Sequence, residues 1–436
     1  MEKFELNITS NGMDGEGIAK KDGIVFFVDD AVAGDSVVAE ITKKTSKFYR
    51  AKIDTVLKPS TNRIKAPCPY YYECGGCKLQ HINYDYQLKI KQQNIQNLLD
   101  KNKIRALVNN TIASKNIFGY RNKLTLYATN KNALGFYKNN SSIIVPINNC
   151  LLVSEEFNNL IKIINKYLIT NKEFAFILKG LAIREIAEFK TNLNCYLINL
   201  ILKEKTDLKL FNNYLKINKI NYSLYFCINK KSNIPTYPCK FVGGKDSVLT
   251  SENNIVYPVY PMSFLQVNNH IKEQIYLDVL KEIKNDDVVL DAYAGAGLLS
   301  AIISKKAKQV YAVEIDKQAS LASKKLQEIN QINNMQSILG DCGVVVPKLV
   351  DKVKLNAVVL DPARKGVDTK NIDAILKSNA QNVIYISCNP ATLARDLSRL
   401  KNVYNINYVQ PYDMFPQTSE VETVVKLTKI KQKKEF

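Results

Sequence analysis

The spacing of apolar residues changes character along this 436-residue chain. Over the first 58 residues, short apolar runs alternate with glycine turns: Phe4–Ile8, Gly12–Gly17, Ile24–Val28, Val37–Ile41 and Ala51–Leu57. Short strands punctuated in this way predict a small β-barrel of the OB type. Residues 84–104 place Tyr84, Leu88, Ile95, Leu98 and Leu99 on one face, which predicts a helix. From about 118 to 250 the pattern is mixed, with strands expected at Lys123–Ala128, Ser142–Pro146 and Cys195–Leu202 and a helix at Phe157–Leu168. The last third reads differently. Near-continuous apolar runs (Val288–Asp291, Gln309–Glu314, Ala357–Asp361, Val383–Ile386) alternate with helical stretches such as Leu298–Ser304. Buried strands alternating with helices predict an α/β, Rossmann-like, doubly wound sheet. The expected organisation is therefore a barrel over 1–58, a mixed α+β central domain over 59–250 and an α/β domain over 251–436. No internal repeat is present.

Composition narrows the partners. The chain carries 61 Lys+Arg against 41 Asp+Glu, a formal charge of +20, which favours a polyanion such as nucleic acid. The stretch Lys43-Lys44-Thr45-Ser46-Lys47-Phe48-Tyr49-Arg50 interleaves aromatics with cations, as base stacking with phosphate contact requires. The N-terminus has no apolar signal core and no apolar run reaches membrane-spanning length, so a cytoplasmic protein without a membrane partner is expected. Nine cysteines in a reducing compartment point to metal or catalytic use rather than disulfides. With only His81 and His270 present, acid–base chemistry falls to carboxylates.

Three groups of residues carry candidate chemistry. Cys68, Cys74 and Cys77 form a C-x5-C-x2-C pattern in a Gly/Pro-rich loop, and Cys150 is available as a fourth thiolate. Four thiolates suit zinc or a [4Fe–4S] cluster, and the spacing leaves both open. The stretch Asp291-Ala292-Tyr293-Ala294-Gly295-Ala296-Gly297 joins a strand to a helix through glycines that let a ligand approach the backbone. Glu314 ends the next strand, where an acid can accept both hydroxyls of a ribose, and Asp341 and Asp361 close the following two. These acids imply a nucleoside cofactor at the carboxyl edge of the sheet. Cys388 falls on the same edge, between a strand end and a helix opened by Pro390, where a helix N-terminus favours a thiolate.

The residues Asp291–Gly297, Asp361-Pro362-Ala363-Arg364, Ser387-Cys388-Asn389-Pro390 and Phe415-Pro416-Gln417-Thr418 resemble the RNA 5-methyluridine methyltransferase family. The barrel and the four cysteines resemble its iron–sulfur members with an N-terminal TRAM domain, which methylate large-subunit ribosomal RNA. The resemblance implies S-adenosylmethionine bound by Gln266, Tyr293, Glu314 and Asp361, and Asp341 at its strand end is placed to meet the adenine amino group. It also implies Cys388 as nucleophile, Glu422 as base, and Cys68, Cys74, Cys77 and Cys150 as ligands of a [4Fe–4S] cluster. A monomer acting on RNA is expected, ribosomal rather than transfer RNA. The alternatives are a transfer-RNA uridine methylase and a non-catalytic RNA-binding protein on the same scaffold. The match departs from the family at Glu420, where histidine is usual, and at Ala294, where cysteine is common. Glu420 is thus the alternative base.

Overall fold

The structure, a computed structural model, describes residues 2–430. Three sheets and a hairpin organise it. The first sheet has six strands, and its order runs Lys3–Asn7, Ser36–Lys44, Phe48–Lys58, Ile24–Asp29, Gly17–Lys21, Ser10–Asn11. Inward residues of these strands, among them Leu6, Phe26, Val28, Val37, Ala39 and Ala51, share one core. The sequence pattern located Lys3–Asn7, Ile24–Asp29, Ser36–Lys44 and Phe48–Lys58 but not Ser10–Asn11 or Gly17–Lys21. Residues 12–16 are a tight turn, because Gly12 N donates to Glu16 O and Gly15 N to Gly12 O. The glycines there mark the reversal.

The helix Tyr84–Lys101 begins at Asn83, whose side chain accepts from Tyr86 N at 2.9 Å. Its Ile95 and Leu99 pack with Leu393, Leu397 and Leu400 of the helix Pro390–Leu400, so it braces the C-terminal sheet. A second sheet of seven strands occupies the middle of the chain, in the order Lys240–Gly244, Tyr222–Ile228, Asn194–Leu202, Leu178–Ala187, Lys123–Ala128, Leu134–Tyr137, Ile144–Pro146. The helix Glu155–Thr170 covers it through Phe157, Leu160, Ile161 and Ile164.

The C-terminal sheet positions the chemistry. Its order is Met335–Leu339, Gln309–Glu314, Val288–Ala292, Ala357–Leu360, Asn382–Ser387, Glu422–Lys429, Tyr404–Tyr412. The first five strands pair in parallel and the last two antiparallel. Both faces are covered: Val289, Val310, Val359 and Ile384 point into one core, while Leu290, Val313, Val358 and Tyr385 point into the other. This is why the strands read as unbroken apolar runs. Strand order reverses between Val288–Ala292 and Ala357–Leu360, and a doubly wound sheet binds ligands at that switch point. Among the described residues, no helix is long and apolar enough to cross a membrane.

Candidate active site

Two halves of a site meet at the carboxyl edge of this sheet. The cofactor half follows Val288–Ala292. Tyr293, Gly295 and Gly297 all have positive φ (70°, 55° and 78°), so the backbone makes a tight left-handed passage into the helix Leu298–Ser304. A Cβ at Gly297 would lie 2.2 Å from Ser323 Oγ, so the position admits only glycine. Gly295 N donates to Glu314 Oε2 at 2.8 Å, and Asp316 N donates to the other oxygen at 2.7 Å. Glu314 is thereby held facing the glycine turn.

Asp291 is buried beneath this turn. Ser300 Oγ donates to one of its oxygens, and the other has no partner. Burial pushes its carboxyl up to about 7, with the Ser300 bond opposing and the Glu314 charge adding. Asp361, on the neighbouring strand end, is likewise raised to about 7 by burial and by Asp291. Asp341 caps the helix Cys342–Val350 by accepting from Gly343 N at 2.7 Å. The Tyr293 hydroxyl accepts from Asn371 Nδ2 at 2.7 Å, next to Asp368. Gln266 lies in the segment before the helix Asn269–Lys281, where Asn122 Nδ2 donates to its carbonyl at 3.1 Å. Buried Arg184, from the central sheet, donates to Asn122 Oδ1 and to the carbonyls of Leu265 and Ser263.

The second half surrounds Cys388. The strand Asn382–Ser387 delivers this thiol to the edge, and Asn389 then caps the helix Pro390–Leu400 by accepting from Ala391 N. Asn389 Nδ2 and Thr392 Oγ1 both donate to Arg364 O, which ties the Asp361–Arg364 loop to the helix start. Contrary to the expectation of a favoured thiolate, the Cys388 thiol is pushed up to about 11. Burial is the main cause, the charges of Glu422 and Asp361 add to it, and Arg364 and a backbone hydrogen bond oppose. Desolvation and like charge outweigh the helix terminus here.

The two glutamates separate clearly. Glu422 opens the strand Glu422–Lys429, is 1% exposed, and has no hydrogen-bond partner on either oxygen. Its carboxyl is raised well above the usual range by burial, then by Asp361 and Glu420. Glu420 is partly exposed and pairs with Arg364 at 3.0 Å. A cavity of about 170 Å³ opens over Cys388, lined also by Arg364, Asn389, Glu420 and, from the first sheet, Met13 and Asp14. Sequence reading missed those last two, because a turn residue remote in the chain carries no signal of what it faces.

The loop Phe415–Thr418 is clamped from outside the sheet. Lys78 N and Leu79 N both donate to Gln417 O at 3.0 Å, Tyr120 OH donates to Pro416 O, and Gln87 bonds the Gln417 side chain and backbone. Buried Lys91 pairs with Asp413 at 2.5 Å and donates to Phe415 O. The sequence pattern gave no warning of this pair, since Asp413 lies 322 residues away in the chain.

Cys68, Cys74, Cys77 and Cys150 come into electrostatic range of one another, directly before Lys78. Burial raises all four thiols, Cys77 to about 12 and Cys150 to about 11. Among the described residues, no group of three or more His, Cys, Asp or Glu side chains is placed to hold a metal ion. Thiol sulfur is the donor chemistry an iron–sulfur cluster uses.

Comparison with known proteins agrees with this geometry. Residues 348–430, which hold Asp361, Cys388 and Glu422, match the family described as tRNA (uracil-5-)-methyltransferase. Residues 252–365 match the TRM5/TYW2 methyltransferase domain. An "uncharacterized RNA methyltransferase" of Clostridium tetani is 33% identical, over 99% of this chain and 97% of its own length. One of Clostridium acetobutylicum is 32% identical, over 98% and 97%. In fold, the chain is similar to the Pyrococcus abyssi tRNA (uracil-54, C5)-methyltransferase in complex with S-adenosyl-L-homocysteine, with a TM-score of 0.80, 24% identity, and coverage of 98% of this chain and 100% of that one. The chain belongs to the family of S-adenosylmethionine-dependent RNA uracil-5-methyltransferases.

Proposed function

We propose that the protein methylates carbon 5 of a specific uridine in large-subunit ribosomal RNA through a covalent adduct between Cys388 and carbon 6. The observation that carries this reading is a thiol and an unpartnered buried carboxylate, Cys388 and Glu422, close enough that the Glu422 charge raises the Cys388 thiol, with Asp361 acting on both. Carbon 5 of uracil is a poor nucleophile. Addition of the Cys388 thiolate to carbon 6 forms an enolate and places electron density on carbon 5. S-adenosylmethionine, when bound, supplies an electrophilic methyl group. Glu422 then accepts the carbon-5 proton, and the enolate formed by its loss expels the Cys388 sulfur as thiolate. A carboxylate with a raised pKa is the stronger base, which favours Glu422 over the Arg364-paired Glu420.

Gln266, Tyr293, Glu314, Asp341 and Asp361 hold the cofactor in this reading. Gly295 and Glu314 present a paired backbone N–H and carboxylate suited to a ribose, and Asp361 lies between the cofactor half and Cys388. Residues 1–58 serve as an RNA-holding barrel of the TRAM type, 59–250 as a second RNA surface with the cysteine loop, and 251–436 as the catalytic domain. Cys68, Cys74, Cys77 and Cys150 hold a [4Fe–4S] cluster with a structural role, supported by four thiols converging beside the clamped catalytic loop. A transfer-RNA target is the second reading, favoured by the fold similarity to the archaeal tRNA enzyme.

Mass-spectrometric mapping of 5-methyluridine in ribosomal and transfer RNA, with and without the protein, tests this. One or more ribosomal uridines should lose methylation when the protein is absent. Loss confined to transfer RNA selects the second reading, and no change in any uridine overturns both.

A further inference from the structure

We propose that Met13 is a wedge that fills the gap left in the RNA when the target uridine enters the Cys388 cavity. The inference rests on the uridine reading above and adds a residue to it. Met13 and Asp14 border the same cavity as Cys388 and Arg364, although they belong to the first sheet and not the catalytic one. Met13 is 40% exposed, an apolar side chain held in solvent at the mouth of a catalytic cavity.

The turn that holds it is rigid. Asn94 Nδ2, from the helix Tyr84–Lys101, donates to Gly12 O at 3.0 Å, Asn11 Nδ2 donates to Gly15 O at 3.1 Å, and Asp14 N donates to Glu16 Oε2 at 3.0 Å. Gly15 has a φ of 87°, and a Cβ there would lie 2.6 Å from the Leu79 side chain. The turn is thus pressed against the segment that follows the cysteine loop. A rigid mount of this kind can present one side chain repeatedly to the same place on a bound strand.

Charge indicates what the tip meets. The chain has a formal charge of +20, yet the tip offers a thioether and a carboxylate. A phosphate contact calls for Lys or Arg, and Asp14 would repel it. The apolar faces of bases remain. An enzyme that acts on an extruded base must open the stack, and apolar side chains including Met enter such openings. Methionine's flexible, polarizable side chain suits an irregular gap. On the same sheet, Arg50 lies over the Phe27 ring and Phe27 packs edge-on to Phe48, while the Arg50 charge reaches Glu16 at the base of the turn. A strand stacked on that patch is led to the tip.

The test uses the full-length protein and the RNA segment carrying the uridine mapped above, in two forms. One keeps the natural neighbours; the other has an abasic nucleotide beside the target, so that no stack needs filling. Single-turnover methyl transfer is measured at saturating S-adenosylmethionine. Met13→Ala should slow the natural RNA by about tenfold or more, the scale of losing one stacking contact. Met13→Leu should restore a rate close to wild type. On the abasic form, all three proteins should act alike. Equal slowing of Met13→Ala on both RNAs, or wild-type speed on the natural one, overturns the wedge while leaving the uridine reading intact. If mapping finds no uridine that depends on the protein, the uridine reading falls and takes the wedge with it. Unchanged S-adenosylmethionine binding by Met13→Ala checks that the variant is folded.

Discussion

Two neighbouring regions bury carboxylates and treat them in opposite ways. In the clamp between the helix Tyr84–Lys101 and the loop after Tyr412, Asp413 is 0% exposed and both oxygens are satisfied, one by Lys91 at 2.5 Å and one by Tyr84 OH at 2.7 Å. At the catalytic edge, Asp291 keeps one oxygen without a partner, and Glu422 keeps both. A buried ion pair with completed hydrogen bonds is a rigid part. A buried acid left unpartnered costs stability, and such a cost is typical of a site held ready for a reactant. The clamp fixes the loop that precedes Glu422; at the edge, the Glu422 oxygens have no partner among the described residues.

Activity should break the comparison most sharply. Cys388→Ala should abolish methylation and prevent any covalent RNA adduct. Glu422→Gln should still add to carbon 6 and accept the methyl group, then stall as a methylated adduct visible on denaturing gels. Turnover should fall by about two to four orders of magnitude, the usual contribution of a general base. Adduct from Glu420→Gln with normal turnover by Glu422→Gln would reassign the base. Methylation by Cys388→Ala would remove the covalent mechanism.

Stability should invert the order. Lys91→Met leaves Asp413 buried without its cation and should cost about 3–5 kcal/mol in urea unfolding. Glu422→Gln removes an uncompensated carboxyl and should leave stability unchanged or higher. A larger loss from Glu422→Gln than from Lys91→Met would mean the two regions had been read the wrong way round.

The contrast also explains what was legible in the sequence. The strands Gln309–Glu314 and Lys123–Ala128 and the helix Leu298–Ser304 have the bounds the pattern indicates, because burial on both faces, alternation and glycine punctuation are local signals. The strands Leu178–Ala187 and Tyr222–Ile228 escaped notice, since buried Arg184 and buried Ser223 interrupt their apolar runs. The acids Asp291, Glu314, Asp341 and Asp361 were legible as residues at or just past strand ends. The roles of Glu420 and Glu422 could not be separated by alternation alone, which fits a solvated strand equally well. Their burial differs, Glu422 being enclosed and Glu420 partly exposed, and burial depends on Asp361 and Arg364 arriving from another strand. Lys91 and Met13 gave no signal for the same reason.

The cysteine loop gives a test by metal removal. Protein purified anaerobically should contain about four iron atoms, as a cubane cluster does. Because Lys78 and Leu79 hold Gln417, stripping the metal should weaken the catalytic loop before it affects S-adenosylmethionine binding. Stoichiometric zinc without iron would exclude the cluster. An iron-free protein with full activity would exclude its structural role.

A smaller effect lies in the pH dependence of stability. The carboxyl of Asp291 stands at about 7 in the folded chain against 3.8 as its ordinary value. Between these values the folded state holds a proton that the unfolded state has lost. Stability from this group is therefore full below about 4, falls as pH rises, and levels off above about 7, with a slope up to about 1.4 kcal/mol per unit. Wild type minus Asp291→Asn, measured by unfolding at each pH, should show this falling limb. A rising limb over the same range would mean that Asp291 is stabilised as the anion and belongs with Asp413.

The smallest effect should come from Arg364, the one cation among the described residues that acts on both Cys388 and Glu422. Its side chain is 68% exposed and its pair with Glu420 is a surface pair, so Arg364→Ala should cost under about 1 kcal/mol of stability. Its effect on chemistry has a definite sign. Arg364 favours the ionised forms of both groups, so its removal should move the rising limb of adduct formation to higher pH, by less than about one unit given its exposure. Arg364→Lys keeps the charge and should hold the limb near its wild-type position. Trapping with 5-fluorouridine RNA isolates this step, because fluorine does not leave carbon 5 as a proton does. A limb that moves to lower pH in Arg364→Ala would show that Glu420, freed of its partner, is the acid that governs Cys388. The unpartnered Glu422 would then be a buried spectator.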